Sequence, residues 1–223
     1  MTDPAHTGDT PDNGVRSQVH RLPEKQVRSV DYLENVLAAG LVAHVGVVQD
    51  GQPYVLPVAY APWRGGVVFH GSTASRLFKL LAAGAPTCVT ITLLDGLVAA
   101  RSAFESSMEY RCAMLMGTCE RLAGADQDEA LRAITDHLLP DRWMHIRPPS
   151  PQEHKATMVL HLRIDTWSLK VGEGFAEDSA ADLDDYAGTW AGRVPLRTVP
   201  GVPEADLHAR GLPVPQYVSE WGH

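Results

Sequence analysis

The stretch from Leu41 to Gly71 constrains this chain most, because three β-rich runs follow one another across gaps no longer than a turn. LVAHVGVVQ is joined through Asp50-Gly51 to QPYVLPVAYAPW, and Arg64-Gly65-Gly66 then leads into VVFHG. Asp-Gly between two such runs is a strong hairpin signal, since a tight hairpin turn needs residues that tolerate positive φ. Pro53 and Pro57 cannot donate to a ladder, so the second run must have a free edge or a bulge there.

Short helices interrupt the strands. One is expected from about Val30 to Ala39, with Ser29 as N-cap, Gly40 just past its end, and Tyr32, Leu33, Val36 and Leu37 in helical register. STASRLFKLLAAG reads as a second, capped by Ser72 or Thr73 and stopped at Gly84. PTCVTITLL and LVAARSAF read as a pair around Asp95-Gly96, and RCAMLMGTCERL as a further strand. ADQDEALRAITDHLLP is a helix with Asp126 as cap, Glu129 completing a box-like pair and Pro140 ending it. MVLHLRIDTWSLKVGEG reads as one long last strand. At least six strands, mostly hairpin-linked, define a mainly β chain and argue for an antiparallel barrel over a βαβ sheet.

The 223 residues divide into a disordered or extended arm over 1–26, a barrel domain over 27–172 and an acidic, Pro- and Gly-rich extension over 173–223. That extension cannot form its own core, and its isolated Trp190 and Trp221 favour wrapping on the body. A formal net charge of −8 argues against a nucleic-acid partner, which demands a dense basic surface. No apolar run approaches the roughly 20 residues that span a membrane, and the polar start does not resemble a secretory signal. The three cysteines lack CxxC spacing, so reduced thiols and a cytoplasmic location are expected.

Signatures such as GxGxxG, GxxxxGK[ST], HExxH and GxSxG are absent, and the ten histidines show no metal spacing, so no metal site is expected. FHGSTASRLFK offers an anion site instead. A strand ends, small hydroxyl residues follow, and a helix begins with Ser75, Arg76 and Lys79. Two or three charge-assisted bonds of about 1.5–3 kcal/mol would supply roughly half of a micromolar-to-nanomolar affinity, leaving the rest to a buried ring. The plain alternative is an amphipathic helix with both cations on a solvated face. In TCVTITLLDG, Val89, Ile91 and Leu93 alternate with Cys88, Thr90 and Thr92, giving a small polar face that can line a ligand or simply meet solvent. Arg101 and Arg111 bracket a hydroxyl-rich segment and need carboxylate, carbonyl or phosphate partners; Glu105 and Glu109 are the internal candidates.

In order and spacing, PYVLPVAY, VVFHGSTASRLFKLL, PTCVTITLLDGLVAARSAF, MEYRCAMLMG, DEALRAITDHLLP with RWMHIRPP, and WAGRVPL resemble the pyridoxamine-phosphate-oxidase-like flavoproteins. The resemblance runs from about Val27 to Leu196 and lies close to the bacterial nitroimidazole-reductase branch. It implies a six-stranded split β-barrel homodimer with FMN at the subunit interface. The phosphate would be held by Gly71, Ser72, Ser75, Arg76 and Lys79. The ring edge would meet the backbone of Leu56, Pro57 and Val58 and the strand bearing Thr90 and Thr92. Arg101, Arg111 and Trp190 match recurrent family positions, and His70 matches a histidine beside the flavin, here the candidate catalytic residue. Relatives often read FHHSxNYRSVVVFG where this chain has FESSMEYRCAMLMG, which places Glu105 and Glu109 near the phosphate.

The activity implied is electron transfer from a reduced nicotinamide, NAD(P)H, through FMN to a small organic acceptor. A non-catalytic flavin carrier or sensor is the first alternative. A divergent barrel holding another cofactor, such as haem, is the second.

Overall fold

Asp50 and Gly51 have φ of 53° and 77°, and Arg64 and Gly65 have φ of 42° and 71°. Both turns are therefore two-residue reversals in the left-handed region, with Gln49 opposite Gln52 and Trp63 opposite Gly66. The computed structural model describes residues 16–222. Its elements run β1 (Gln26–Val27), α1 (Val30–Ala39), β2 (Val42–Gln49), β3 (Gln52–Trp63), β4 (Gly66–Ser72), α2 (Arg76–Ala82), β5 (Thr87–Ala99) and β6 (Ser107–Gly117). They continue with β7 (Cys119–Arg121), α3 (Ala125–Leu138), α4 (Pro151–Ala156), β8 (Thr157–Arg163), β9 (Thr166–Gly172), α5 (Ala180–Asp185), β10 (Gly192–Pro195) and α6 (Gln216–Ser219).

Every pairing is antiparallel, and six strands close a circuit. β2 pairs with β3, β3 with β4, β4 with β8 and β8 with β7. β7 continues β6, which pairs with β5, and β5 returns to β2 through His44↔Thr90 to Gly46↔Cys88. Two strands turn the corners. β3 lies on β2 as far as Ala59 and on β4 from Tyr60. The β6–β7 run changes partner across Gly117-Thr118. This is a mainly antiparallel β split barrel, as the sequence leads one to expect.

The barrel interior is filled by Val45, Val47, Tyr60, Val67, Phe69, Val89, Ile91, Leu115, Leu160, Leu162 and Leu169, with Leu33, Val36, Leu37 and Leu81 plugging it from α1 and α2. A second core, of Ala61, Val68 and Val159 against Ala130, Leu131 and Ile134, seats α3 on the outside. Ser29 caps α1 as expected, accepting from Tyr32 N at 3.2 Å. Gly40 has an ordinary extended φ of −81°. It is glycine because a Cβ there would lie 2.5 Å from Ile91 Cγ2 and 2.6 Å from Tyr60 Oη.

Four local expectations are corrected. β4 runs on through Ser72, so α2 begins later and its N-cap is Ser75, not Ser72 or Thr73. Asp95-Gly96 is no turn: β5 is continuous, with a bulge between Leu94 and Gly96. Asp126 sits inside the first turn of α3, behind Gly124 as N-cap, because Arg64 draws its carboxylate to 2.8 Å. The long last strand is two strands, since β8 belongs with β4 and β9 with β6.

Of the expected N-terminal arm, residues 1–15 lie outside the described residues. The remainder is tied down: Gln26 Nε2 donates to Ser17 O at 3.0 Å, and β1 pairs with β9 at Lys170 and Leu169. The C-terminal extension returns to the barrel. β10 lies on β5 from Gly192↔Ala99 to Pro195↔Gly96. Tyr217 accepts from Arg142 Nη1 at 2.6 Å and stacks on His145, centroids 4.7 Å apart. No described helix is long and apolar enough to cross a membrane.

Candidate functional site

The segment read as a candidate anion site, at the end of β4, folds as a tight turn. Ser72 Oγ accepts from Ala74 N at 3.1 Å, and Ser75 N donates to Ser72 O at 2.9 Å. α2 then buries Leu77, Phe78 and Leu81, leaving Arg76 and Lys79 exposed on its other side. The first turn of α2 carries no acid, and among the described residues no carboxylate pairs with Arg76 or Lys79. Arg76 instead lays its guanidinium on the Tyr54 ring, 3.9 Å from the centroid, joining this cluster to β3. Gly71 serves packing, since a Cβ there would meet the Phe78 ring at 2.3 Å.

Pro53 and Pro57 have the free edge they require. From Gln52 to Ala59, β3 pairs with β2 alone, so among the described strands its other edge has no partner. Leu56 and Pro57 are exposed on this stretch and Val58 is half-buried. Backbone groups along such an edge can meet the polar rim of a planar ligand. His70 is exposed on β4, opposite Val159; the protein mass around it lowers its pKa by desolvation, favouring neutral imidazole.

Thr90 and Thr92 lie on the outward face of β5, as the alternation requires, while Val89 and Ile91 are buried. Thr90 stands between His44 on β2 and Met114 on β6; Thr92 Oγ1 donates to Cys112 Sγ at 3.2 Å. The face is apolar and open: Val42 is 48 %, Val48 60 % and Val55 61 % exposed. A cleft of about 620 Å³ opens along it between Gly46, Val48, Tyr54, Val55, Cys88 and Met116. Burial pushes the Cys88 thiol pKa up and that of Cys119 to about 12, so neither is poised as a thiolate nucleophile.

The remaining expected site residues are elsewhere. Arg101 Nη1 donates to Asp178 Oδ2 at 2.8 Å, and its backbone N–H to Asp178 Oδ1 at 2.9 Å. Arg111 grips Asp95 with two bonds of 2.9 and 2.7 Å, the bulge having turned that carboxylate toward it. Neither arginine uses Glu105 or Glu109, the internal candidates; both take other carboxylates. Glu109, 3 % exposed, accepts from Arg193 Nη2 at 2.7 Å and Gly174 N at 2.9 Å, and these hold its carboxyl below the usual range, Arg193 foremost. Glu105 lines a second cavity of about 500 Å³ with Phe104, Met108 and Phe175. Trp190 is 67 % exposed and lies over Gly192, where a Cβ would stand 2.8 Å from the indole.

Leu56, Pro57 and Val58 lie on β3, His70 and Ser72 on β4, Ser75 caps α2, which carries Arg76 and Lys79, and Thr90 and Thr92 lie on β5, with the Arg76–Tyr54 stack tying α2 to β3. Arg101 and Trp190 lie beyond the far end of β5. Nine residues separate Thr90 from Ala99, about 30 Å of strand at roughly 3.3 Å per residue. Sequence reasoning missed Tyr54, His44 and the carboxylates Asp95 and Asp178. Periodicity shows a face but not which side chain will stack across 22 residues.

A family model described as pyridoxamine 5'-phosphate oxidase matches residues 29–171, and the chain belongs to that family. The FAD and heme binding protein from Mycobacterium smegmatis is 42% identical over 87% of this chain and 95% of its own, with a TM-score of 0.83. The flavocytochrome Anf3 from Azotobacter vinelandii is 34% identical over 95% of this chain and 97% of its own, with a TM-score of 0.84. A candidate 5-nitroimidazole antibiotic resistance protein from Bacteroides thetaiotaomicron shares the fold at 20% identity and a TM-score of 0.56, over 66% of this chain and 86% of its own. No curated protein matches the chain.

Proposed function

We propose that this chain is a homodimeric redox protein that binds a flavin nucleotide and a haem. The observation that carries the flavin half is the Arg76–Tyr54 stack, which sets an acid-free pair of cations beside the open edge of β3. Ser72, Ser75, Arg76 and Lys79 would hold phosphate, and the backbone from Leu56 to Val58 would meet the ring edge. The haem half, and FAD in preference to FMN, rest on likeness to the two proteins of 42% and 34% identity, described as binding FAD and heme and as a flavocytochrome. The donor set suits a haem. His44 and His70 make no side-chain hydrogen bond among the described residues, and desolvation at His70 favours the neutral imidazole, the form that ligates iron. His44 shares a row with Thr90 and Met114 on the apolar outer face of the sheet.

Bound together, a flavin supplies two-electron exchange with an organic reductant such as a reduced nicotinamide, and a haem supplies one-electron chemistry. The side chains bind, orient and exclude water; among the described residues no acid–base pair stands at the cleft. A second copy accounts for the division of the expected site residues between the two ends of β5, since it can bring one group to the other. The test is the absorption spectrum of the purified protein, with identification of what denaturation releases. Flavin bands with a Soret band, and FAD in the supernatant, are expected. A colourless protein that takes up neither added FAD nor added haem would overturn the assignment.

A further inference from the structure

The far end of β5 borders a cavity to which neither the flavin nor the haem has been assigned. It measures about 500 Å³ and is walled by three stretches of chain: residues 21–25 ahead of β1, parts of residues 98–109, and residues 173–177 after β9. A volume of that order suits a small organic molecule. The wall between β5 and β6 is set by its own hydrogen bonds: Glu105 N donates to Ser102 Oγ at 3.1 Å, and Ser106 Oγ to Ser102 O at 2.9 Å. The wall from the C-terminal extension is tied to the barrel. Gly174 N donates to Glu109 Oε1, and Arg193, bonded to Glu109 Oε2, places its guanidinium carbon 5.5 Å from the centre of the Phe175 ring. Walls fixed before a ligand arrives lose little entropy when it binds.

Two chemistries meet in this lining. Phe104 and Phe175 are 84 % and 72 % exposed, and with Leu22 and Met108 they make its apolar part. Its charged part is Glu24, Glu105, Glu109, Glu173 and Glu177, set against two cations, Arg21 and Lys25. Of the five carboxylates, Glu109 is the one that forms an ion pair among the described residues, so the chain leaves an excess of negative charge there. Such a lining repels an anion, the reverse of the cation pair at Arg76 and Lys79. Phenylalanine faces attract an ammonium through the ring quadrupole, and carboxylates beside them attract it through charge.

We propose that this cavity binds a small organic ammonium ion, its apolar body against Phe104, Met108 and Phe175 and its charge on the glutamates, Glu105 foremost. Charge complementarity decides the occupant, because a nucleotide or a carboxylic acid brings the wrong sign. Residues 1–15 of the chain do so too, with Asp3, Asp9 and Asp12 and no lysine or arginine. Both oxygens of Glu109 already accept hydrogen bonds, so Glu109 shapes the wall, whereas Glu105 is half-buried with its charge uncommitted to any described side chain. The site goes beyond the flavin and haem reading and does not depend on it.

The experiment is calorimetric titration of the full chain, as purified and at neutral pH, with three probes of one shape: phenethylamine, phenethyl alcohol and phenylpropionate. Saturable binding of the protonated amine is expected, with the alcohol about tenfold weaker or more and the carboxylate not bound. Glu105→Gln and Phe104→Ala should each weaken the amine several-fold. Both side chains lie outside the two cores, and circular dichroism checks that each variant is folded. The alcohol should bind wild type and Glu105→Gln alike, a difference that a general loosening of the loop would not produce. No saturable binding of the amine, equal binding of amine and alcohol, or an amine affinity that either variant leaves unchanged overturns the site. Amine binding by a protein that carries neither flavin nor haem would sink the cofactor assignment and leave this one standing.

Discussion

Arg76 is held from across the fold by Tyr54, its guanidinium 3.9 Å from the centre of that ring, so β3 and not α2 alone fixes where the cation pair points. A guanidinium stacked in this way keeps its N–H edge free for an anion, which an ion pair would have consumed. The contact links a strand edge suited to a ring with a turn suited to a phosphate.

Replacing Arg76 with Ala is therefore expected to weaken binding of a flavin nucleotide by the worth of one charge-assisted bond, about 1.5–3 kcal/mol or ten- to hundredfold. Riboflavin, which lacks the phosphate, is expected to bind the variant and wild type alike. Tyr54→Leu should shift the nucleotide in the same direction by less. Fluorescence titration measures all three; an equal loss for riboflavin would show that Arg76 acts on the ring instead.

Gly40→Ala is expected to destabilise the barrel by about 1–3 kcal/mol, the usual cost of forcing a methyl into a filled core. The methyl would press on Ile91 and on the Tyr60 hydroxyl, which donates to Leu37 O at 2.7 Å. Denaturant unfolding at fixed pH reads the loss. A stable Gly40→Ala variant would mean that α1 can move away from β5.

The fastenings of the C-terminal extension set an acid limit. Glu109 and Asp178 both titrate below their ordinary values of 4.5 and 3.8, the first mainly through Arg193 and the second mainly through the Arg101 backbone N–H. Their contribution is complete above those ordinary values and is lost as pH falls through the depressed ones. Hydrogen exchange between pH 7 and 3 should show residues 174–195 opening before the barrel strands. Simultaneous opening of both would place the limit in the barrel.

His161 and His70 act in the same direction at higher pH, through desolvation and not through pairing. Desolvation lowers both from an ordinary value of 6.5, and His161 is only 6 % exposed, with its ring edge-on to Trp63 at 5.0 Å. The unfolded chain takes up these protons more readily, so stability is expected to decline as pH drops below about 6.5. His161→Gln should flatten part of that slope in thermal melts. An unchanged slope would assign it to His70.

The architecture was legible in the sequence because turns and alternation are local signals. Asp50-Gly51 and Arg64-Gly65 specify their own backbone, and Val89 and Ile91 their own face. Asp95-Gly96 misled for a physical reason: the dipeptide that suits a turn also suits a bulge, and the choice was made by Arg111 and Glu109 on the neighbouring strand. The partners of the two arginines were equally hidden, since Asp178 reaches Arg101 across 77 residues. Ser72, Ser75, Arg76 and Lys79 could be singled out because one short segment contains them all. Tyr54 was not, because its role exists only once β3 and α2 have met.

Pro53 and Pro57 have a further effect on the open side of β3. An unpaired strand margin is a template on which foreign strands can grow, the first step toward insoluble aggregates. Each proline deletes an amide donor from that margin, so an incoming strand meets a broken row. The barrel can therefore leave one side of a strand unpaired without offering it to another polypeptide.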